Sequence, residues 1–258
     1  IYQVSSGDDI RYHRSTENVS SKPEMVQQLK EVMPNLERVE FINLRLRHDT
    51  KVDAQKAVAE IAKRNPHIIL LEGAEGPPHA QAAMQQFVNG TYNNLGDLRV
   101  STFVGEFLIA LRNLKQAGFP VPLLILPDIP SNHPIAGRDV YPHLLGILTE
   151  QYSSYSDAVK EVRRRVARNS KITAEREEYI VEKTPVLIRE LISNLTRSDS
   201  PQADIATTDQ LVLMGVYGSG HGGISTKMRE RGVQTAAVTH SSLLHPIDSL
   251  LTKMDFFI

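Results

Sequence analysis

Short apolar runs alternate with amphipathic helical patterns along most of the chain. Strand-like runs occupy residues 38–46, 67–71 and 121–126, another begins at Leu211, and a last one covers 233–238. Apolar residues at helical spacing predict helices at 23–33, 50–61, 79–88, 104–118 and within about 141–195, where Pro185 should kink or split the helix. This alternation predicts an α/β fold, with a mostly parallel central sheet flanked by helices on both faces. A helical insertion at about 137–197 interrupts it.

One strand-like run leads directly into a glycine-rich turn that presents a histidine. The run starts at Leu211 and ends in Gly218-Ser219-Gly220-His221. Glycines allow a sharp turn and a close approach of the backbone to a ligand. Ile224 and Met228 follow at helical spacing, and Gly232 stands where the helix should end. The segment therefore predicts a strand, a turn and a helix, and in such a sheet the turn faces the ligand crevice.

Polar residues follow each strand of the predicted parallel sheet. Because parallel strands share a direction, residues just past their carboxyl ends lie along one edge of the sheet. These residues are His48, Glu72, Asp128, His221 and His240. Imidazoles and carboxylates together can move protons near neutral pH or bind a divalent ion. The sequence therefore predicts a functional site at this edge.

Composition narrows the classes of partner. The chain has 258 residues, 41% of them hydrophobic, with a net charge of −1, a pI near 6.8 and no cysteine. The near-neutral charge argues against a general nucleic-acid or membrane-surface binder. No apolar run approaches the roughly 18 to 20 residues that span a bilayer. Small molecules or proteins are the expected partners, and thiolate chemistry is excluded.

The first 22 residues differ in composition from the rest. They are polar and rich in serine and charge, without the apolar centre of a Sec signal peptide. This composition favours a flexible leader, followed by a single α/β domain over residues 23–258. The same composition also fits the end of a secretion leader for delivery into another cell.

A dinucleotide site is a further alternative at the glycine-rich turn. Gly218, Gly220 and Gly223 match the G-x-G-x-x-G pattern after a strand. The next strand ends in Thr239-His240, without the acidic residue that binds ribose about 20 residues further on. The pattern therefore favours a different ligand.

The order of these motifs resembles the erythromycin esterase and ChaN-like superfamily, which includes the TraB and TIKI-type proteins. The resemblance covers most of residues 38–240. The segments that carry it are Arg45-Leu46-Arg47-His48-Asp49, Leu70-Leu71-Glu72-Gly73, Asp128 after the helix with Leu111-Arg112-Asn113, Arg176-Glu177-Glu178-Tyr179-Ile180 and Gly218-Ser219-Gly220-His221. The chain departs from the family's Gly-Glu-x-His motif, because Leu46 stands where the family has a glutamate and Arg45 replaces a small residue.

The resemblance implies a hydrolase of an ester-like bond with a bound water as nucleophile. His48 or His221 would be the general base, Glu72 would orient the imidazole, and Arg176 would stabilise the oxyanion. Glu177 and Asp128 complete the expected catalytic set. No cofactor is required in this hypothesis.

The resemblance also leaves other functions open. His48, Glu72 and His221 could bind a divalent metal that activates the water, and haem-binding members imply a non-catalytic alternative. A serine-rich leader on this fold resembles a type III secreted effector of a plant-pathogenic bacterium. Such a virulence protein would act in the host cytoplasm, through its pocket or through a surface that binds a host protein. The bacterial cytoplasm is the alternative location.

Overall fold

The computed structural model describes residues 8–13, 24–46, 51–72, 80–98, 100–129, 152–196, 202–218 and 221–240. The strands in these ranges are β1 (Asp8–His13), β2 (Arg38–Leu46), β3 (Ile68–Leu71), β4 (Leu123–Ile125), β5 (Gln210–Gly218) and β6 (Gln234–His240). The α-helices are α1 (Met25–Leu29), α2 (Lys51–Arg64), α3 (Ala80–Asn89), α4 (Thr102–Gln116), α5 (Tyr155–Thr196) and α6 (Gly223–Arg229). Short 3-10 helices cover Leu95–Leu98 and Ala203–Thr207.

The six described strands form one sheet in the order β1-β6-β2-β5-β3-β4. Strands β2 to β6 pair in parallel, and β1 alone pairs antiparallel, against β6. The α/β class and the mostly parallel sheet predicted from the sequence are therefore confirmed.

Helices cover both faces of the sheet and form two apolar cores. On one face, α2, α3 and α4 pack against alternate residues of β2 such as Ile42 and Leu44. On the other face, α1, α5 and α6 pack against the remaining apolar residues of β2, for example Phe41. Burial on both faces explains why β3 reads as a continuous apolar run, since all four of its residues are buried.

Strand β5 lies between β2 and β3 in the sheet. The connection that follows β5 lies on the opposite face of the sheet from the connections that follow these two neighbours. The chain after β2 and after β3 passes through α2 and α3 on one face, whereas the chain after β5 passes through α6 on the other. Such reversals are called topological switch points. They open a crevice at the carboxyl ends of the strands, where α/β proteins bind ligands. The carboxyl end of β5 is therefore flanked by two switch points.

Two elements differ from the sequence expectations. Asp8–His13, assigned above to a flexible leader, forms the edge strand β1, because its backbone pairs with β6 over the whole segment. Helix α5 runs for 42 residues through Pro185 and is not split there. Packing of Ile180, Val181 and Ile188 in the apolar core stabilises the helix on both sides of the proline. Residues 130–151, which include the first part of the insertion expected at about 137–197, lie outside the described residues.

Candidate functional site

The carboxyl ends of β3, β4 and β5 bring together three of the predicted residues, and helix α5 adds two more. Glu72 follows β3, Asp128 follows β4 and His221 follows β5. Arg176 and Glu177 reach this edge from α5, which crosses the face of the sheet that α6 also covers. His48 lies outside the described residues, as does the side chain of His240 at the end of β6.

Glu72 and His221 form the closest pair of titratable groups in this cluster. Glu72 Oε1 lies 3.0 Å from Nε2 of His221, and the other carboxylate oxygen accepts a hydrogen bond from the Gly218 backbone N–H. Both side chains are largely buried, at 14% and 8% exposure. A carboxylate can only accept here, so this contact places a proton on Nε2.

Arg176 is held between two carboxylates. Its Nε donates to Asp128 Oδ1 at 2.7 Å, and its Nη2 pairs with Asp128 Oδ2. The same Nη2 lies 3.5 Å from Glu72 Oε1. This two-pronged pairing with Asp128 fixes the plane of the guanidinium, and 21% of the side chain stays exposed.

Glu177 lies on the side of the site that is next to helix α6. Its Oε1 accepts the backbone N–H of Gly223 at 3.0 Å and lies 3.9 Å from His221 Nδ1. Burial raises the pKa of Glu177, against the lowering effects of His221, the backbone N–H groups of Gly223 and Ile224, and Lys227. The carboxyl group therefore holds its proton to higher pH than an exposed glutamate.

The pKa of His221 is raised from its ordinary value of 6.5 by a balance of opposing effects. Burial lowers it most, and Arg176 also lowers it. The hydrogen bond to Glu72, the charge of Glu72 and that of Glu177 together outweigh both. Nδ1 is buried and has no hydrogen-bond partner within the described residues. His221 thus combines one nitrogen fixed by a carboxylate with a second that is able to accept a proton.

Two buried polar residues of the site were not predicted from the sequence. Asn43, in the middle of β2, donates to the backbone oxygen of His221 at 3.1 Å and lies 3.2 Å from Ser225 Oγ. Tyr217 is fully buried with its ring centroid 5.8 Å from that of His221. The sequence does contain a signal for Asn43, because its amide lies between two apolar residues of a strand that is covered on both faces. A buried amide in such a strand needs hydrogen-bond partners.

The Tyr217 hydroxyl stays protonated at neutral pH. Burial raises its pKa well above 10, the charges of Asp128 and Glu72 raise it further, and Arg176 opposes them. Gly215 provides the space for the ring, because a Cβ there would lie 2.8 Å from Cζ of Phe41 and overlap the Tyr217 ring. The hydroxyl has no hydrogen-bond partner among the described residues.

Leu46, where the resemblance would place a glutamate, is the last residue of β2. It is fully buried in the apolar core with helix α2. The carboxylates of this edge come instead from Glu72, Asp128 and Glu177. A search of the described residues for three or more His, Cys, Asp or Glu side chains that could hold a metal found no such group.

The fold and site define an α/β protein with a histidine–carboxylate cluster at a switch point of its sheet. Comparison of the chain with protein-family models, with curated proteins and with solved structures gave no match. The resemblance to the erythromycin esterase and ChaN-like superfamily therefore stays a prediction. No helix in the described part of the chain is long and apolar enough to cross a membrane.

Proposed function

We propose that this edge of the sheet hydrolyses an ester-like bond, with a bound water as the nucleophile. The observation that carries the proposal is the 3.0 Å contact between Glu72 Oε1 and His221 Nε2, at a switch point and beside the exposed part of Arg176. An imidazole whose one nitrogen is fixed by a carboxylate is a common general base.

In this mechanism His221 moves the proton. With Nε2–H directed at Glu72, the lone pair of Nδ1 takes a proton from the attacking water as its oxygen bonds to the carbonyl carbon. The imidazolium is stabilised by Glu72, and it returns the proton to the leaving alkoxide when the ester bond breaks. The raised pKa of His221 keeps the proton on the ring between these two steps.

Arg176 would stabilise the negative charge that develops on the carbonyl oxygen. Its guanidinium is held in place by Asp128 and Glu72, so little reorganisation is needed when the charge appears. Asp128 acts through this arginine and is a positioning residue. Glu177 acts on His221 through its charge and holds the first turn of α6 through Gly223.

Electrostatics favours this hypothesis over binding of a divalent metal by the same residues. Nη2 of Arg176 lies 3.5 Å from the Glu72 oxygen that also contacts His221, where a metal ion would have to bind. Two positive charges at that spacing repel each other. Haem binding and action through a surface that contacts a host protein are alternatives from the resemblance. Delivery into a host cell by type III secretion is proposed from the same resemblance and is compatible with hydrolysis or with surface binding.

The test is hydrolysis of a panel of chromogenic esters by the wild type and by Glu72→Gln. Loss of the carboxylate should lower kcat/KM by on the order of 10²-fold or more. Glu106→Gln is the matched control, because Glu106 pairs with Lys51 at 3.5 Å on the surface. Equal activity of Glu72→Gln and the wild type would refute the proposal and move the search to the surface.

A further inference from the structure

Arg45 lies at the same edge of the sheet and takes no part in the mechanism above. It is the penultimate residue of β2, in register with Tyr217 of β5 on one side and Thr239 of β6 on the other. Its side chain reaches the start of helix α6, since a Cβ at Gly222 would lie 3.1 Å from Arg45 Nη1. Gly222 therefore leaves the space that this guanidinium occupies, one residue away from His221.

The guanidinium has no counter-charge in the described part of the chain. Its Nε is buried without a hydrogen-bond partner, and no described carboxylate forms an ion pair with it. Arg176, the other arginine of this edge among the described residues, is paired with Asp128 and Glu72. A partly buried cation with an unsatisfied N–H group is costly unless an anion reaches it.

We propose that Arg45 binds an anionic group of the substrate, a carboxylate or a phosphate, next to the ester bond that is cleaved. This inference rests on the proposed hydrolase function and narrows its substrate to an anionic ester. The fork of N–H donors on arginine matches two oxygens of either anion. The neighbouring His221 would face the ester while Arg45 fixes the far end of the molecule, which positions the bond for attack.

The experiment measures anion binding without turnover. Thermal unfolding of the full chain is followed with increasing inorganic phosphate or succinate, each compared with sodium chloride at equal ionic strength. The proteins are the wild type, Arg45→Met, Arg45→Lys and the control Arg38→Met. Arg38 lies at the opposite end of the same strand, where it is exposed and donates to Gln210.

The expected result is stabilisation of the wild type by at least one of the two anions, with apparent affinity at least tenfold weaker in Arg45→Met and unchanged in Arg38→Met. Stabilisation by succinate alone assigns a carboxylate, and stabilisation by phosphate alone assigns a phosphate. If Arg45→Met does not fold, Arg45→Lys decides, and it should bind more weakly because it lacks the fork of donors. Equal affinity in the wild type and the folded Arg45 variant, or no anion effect in the wild type, overturns the inference.

A second measurement separates this inference from the hydrolase proposal. Hydrolysis of p-nitrophenyl acetate is compared with that of the p-nitrophenyl monoester of succinate. Arg45→Met should raise KM for the succinate monoester at least tenfold and leave kcat/KM for the acetate ester unchanged. If neither ester is cleaved while Arg45→Met still loses anion affinity, the hydrolase proposal fails and the anion site stands. Equal effects on both esters overturn the anion role of Arg45.

Discussion

His221 Nε2 lies 3.0 Å from Glu72 Oε1, although 149 positions separate the two residues in the chain. Neighbouring parallel strands bring them together, because Glu72 follows β3 and His221 follows the adjacent β5. The order of the strands in the sheet therefore determines which strand-end residues come together in the candidate site.

The first prediction concerns the pH dependence of this pair. Because folding raises the pKa of His221, its stabilising contribution is complete below pH 6.5 and is lost as pH rises through the folded pKa. Glu72→Gln removes the effect that raises this pKa. We expect the variant to lose about 2 kcal/mol of unfolding free energy at pH 6 and less at pH 9. Urea denaturation at both pH values measures this, and a loss that is equal at both would contradict the assignment.

Substitution of Glu177 should change the pH dependence of stability in the acidic range. Burial raises its pKa above the ordinary 4.5, so the folded state is favoured below that pH and loses this advantage as pH rises through the folded pKa. Glu177→Gln removes the buried charge and keeps an oxygen for the Gly223 N–H. We expect its stability relative to the wild type to increase between pH 4 and pH 7.5. The expected pKa of His221, followed by NMR titration, is lower in the variant. A stability difference between Glu177→Gln and the wild type that does not change with pH would contradict a buried charge on Glu177.

Gly223 has no room for a side chain. A Cβ there would lie 2.9 Å from Cδ of Glu177 and overlap one of its oxygens, and Glu177 is only 4% exposed. Gly223→Ala should therefore lose about 2 kcal/mol of unfolding free energy. The control is Gly96→Ala, whose Cβ would meet Asn94 Oδ1 at 3.4 Å.

A double variant isolates the cause of that loss. Adding Glu177→Ala to Gly223→Ala removes the overlapping carboxylate, so the double variant should lose less than the sum of the two single losses. Strict additivity in thermal or urea unfolding would show that the contact with Glu177 is not the source.

Asn43 is expected to position the backbone of His221. Asn43→Ala leaves the buried His221 carbonyl and Ser225 Oγ without this donor, which should cost about 1 to 3 kcal/mol. Ser225→Ala removes only one of the two contacts and should cost less. On an ester that the wild type cleaves, Asn43→Ala should lower kcat more than it changes KM. A change in KM alone would assign Asn43 to substrate binding instead.

Strand periodicity was sufficient to predict the parallel sheet and the grouping of Glu72, Asp128 and His221. Those three residues share one physical rule, because each follows a buried strand of the same direction. Arg176 and Glu177 came only from the family resemblance. Their approach depends on where helix α5 crosses the sheet, which helical spacing does not specify.

The remaining features depend on tertiary contacts that the sequence pattern does not show. Edge strand β1 is short and polar, and its strand conformation depends on pairing with β6. Pro185 favours a break, but packing on both sides of it keeps α5 continuous. The lack of a described counter-charge for Arg45 became visible only when its neighbours in β5, β6 and α6 were known.

The most direct test of the central claim is the ester hydrolysis of His221→Gln beside that of His67→Gln. His67 is a structural histidine at the opposite end of β3, where its Nδ1 accepts the Val212 N–H at 2.9 Å. Thermal unfolding verifies that both variants are folded. A loss of kcat/KM of on the order of 10²-fold or more in His221→Gln, with His67→Gln close to the wild type, is the predicted result. Hydrolysis by His221→Gln at the rate of the wild type would contradict a catalytic role for this edge of the sheet.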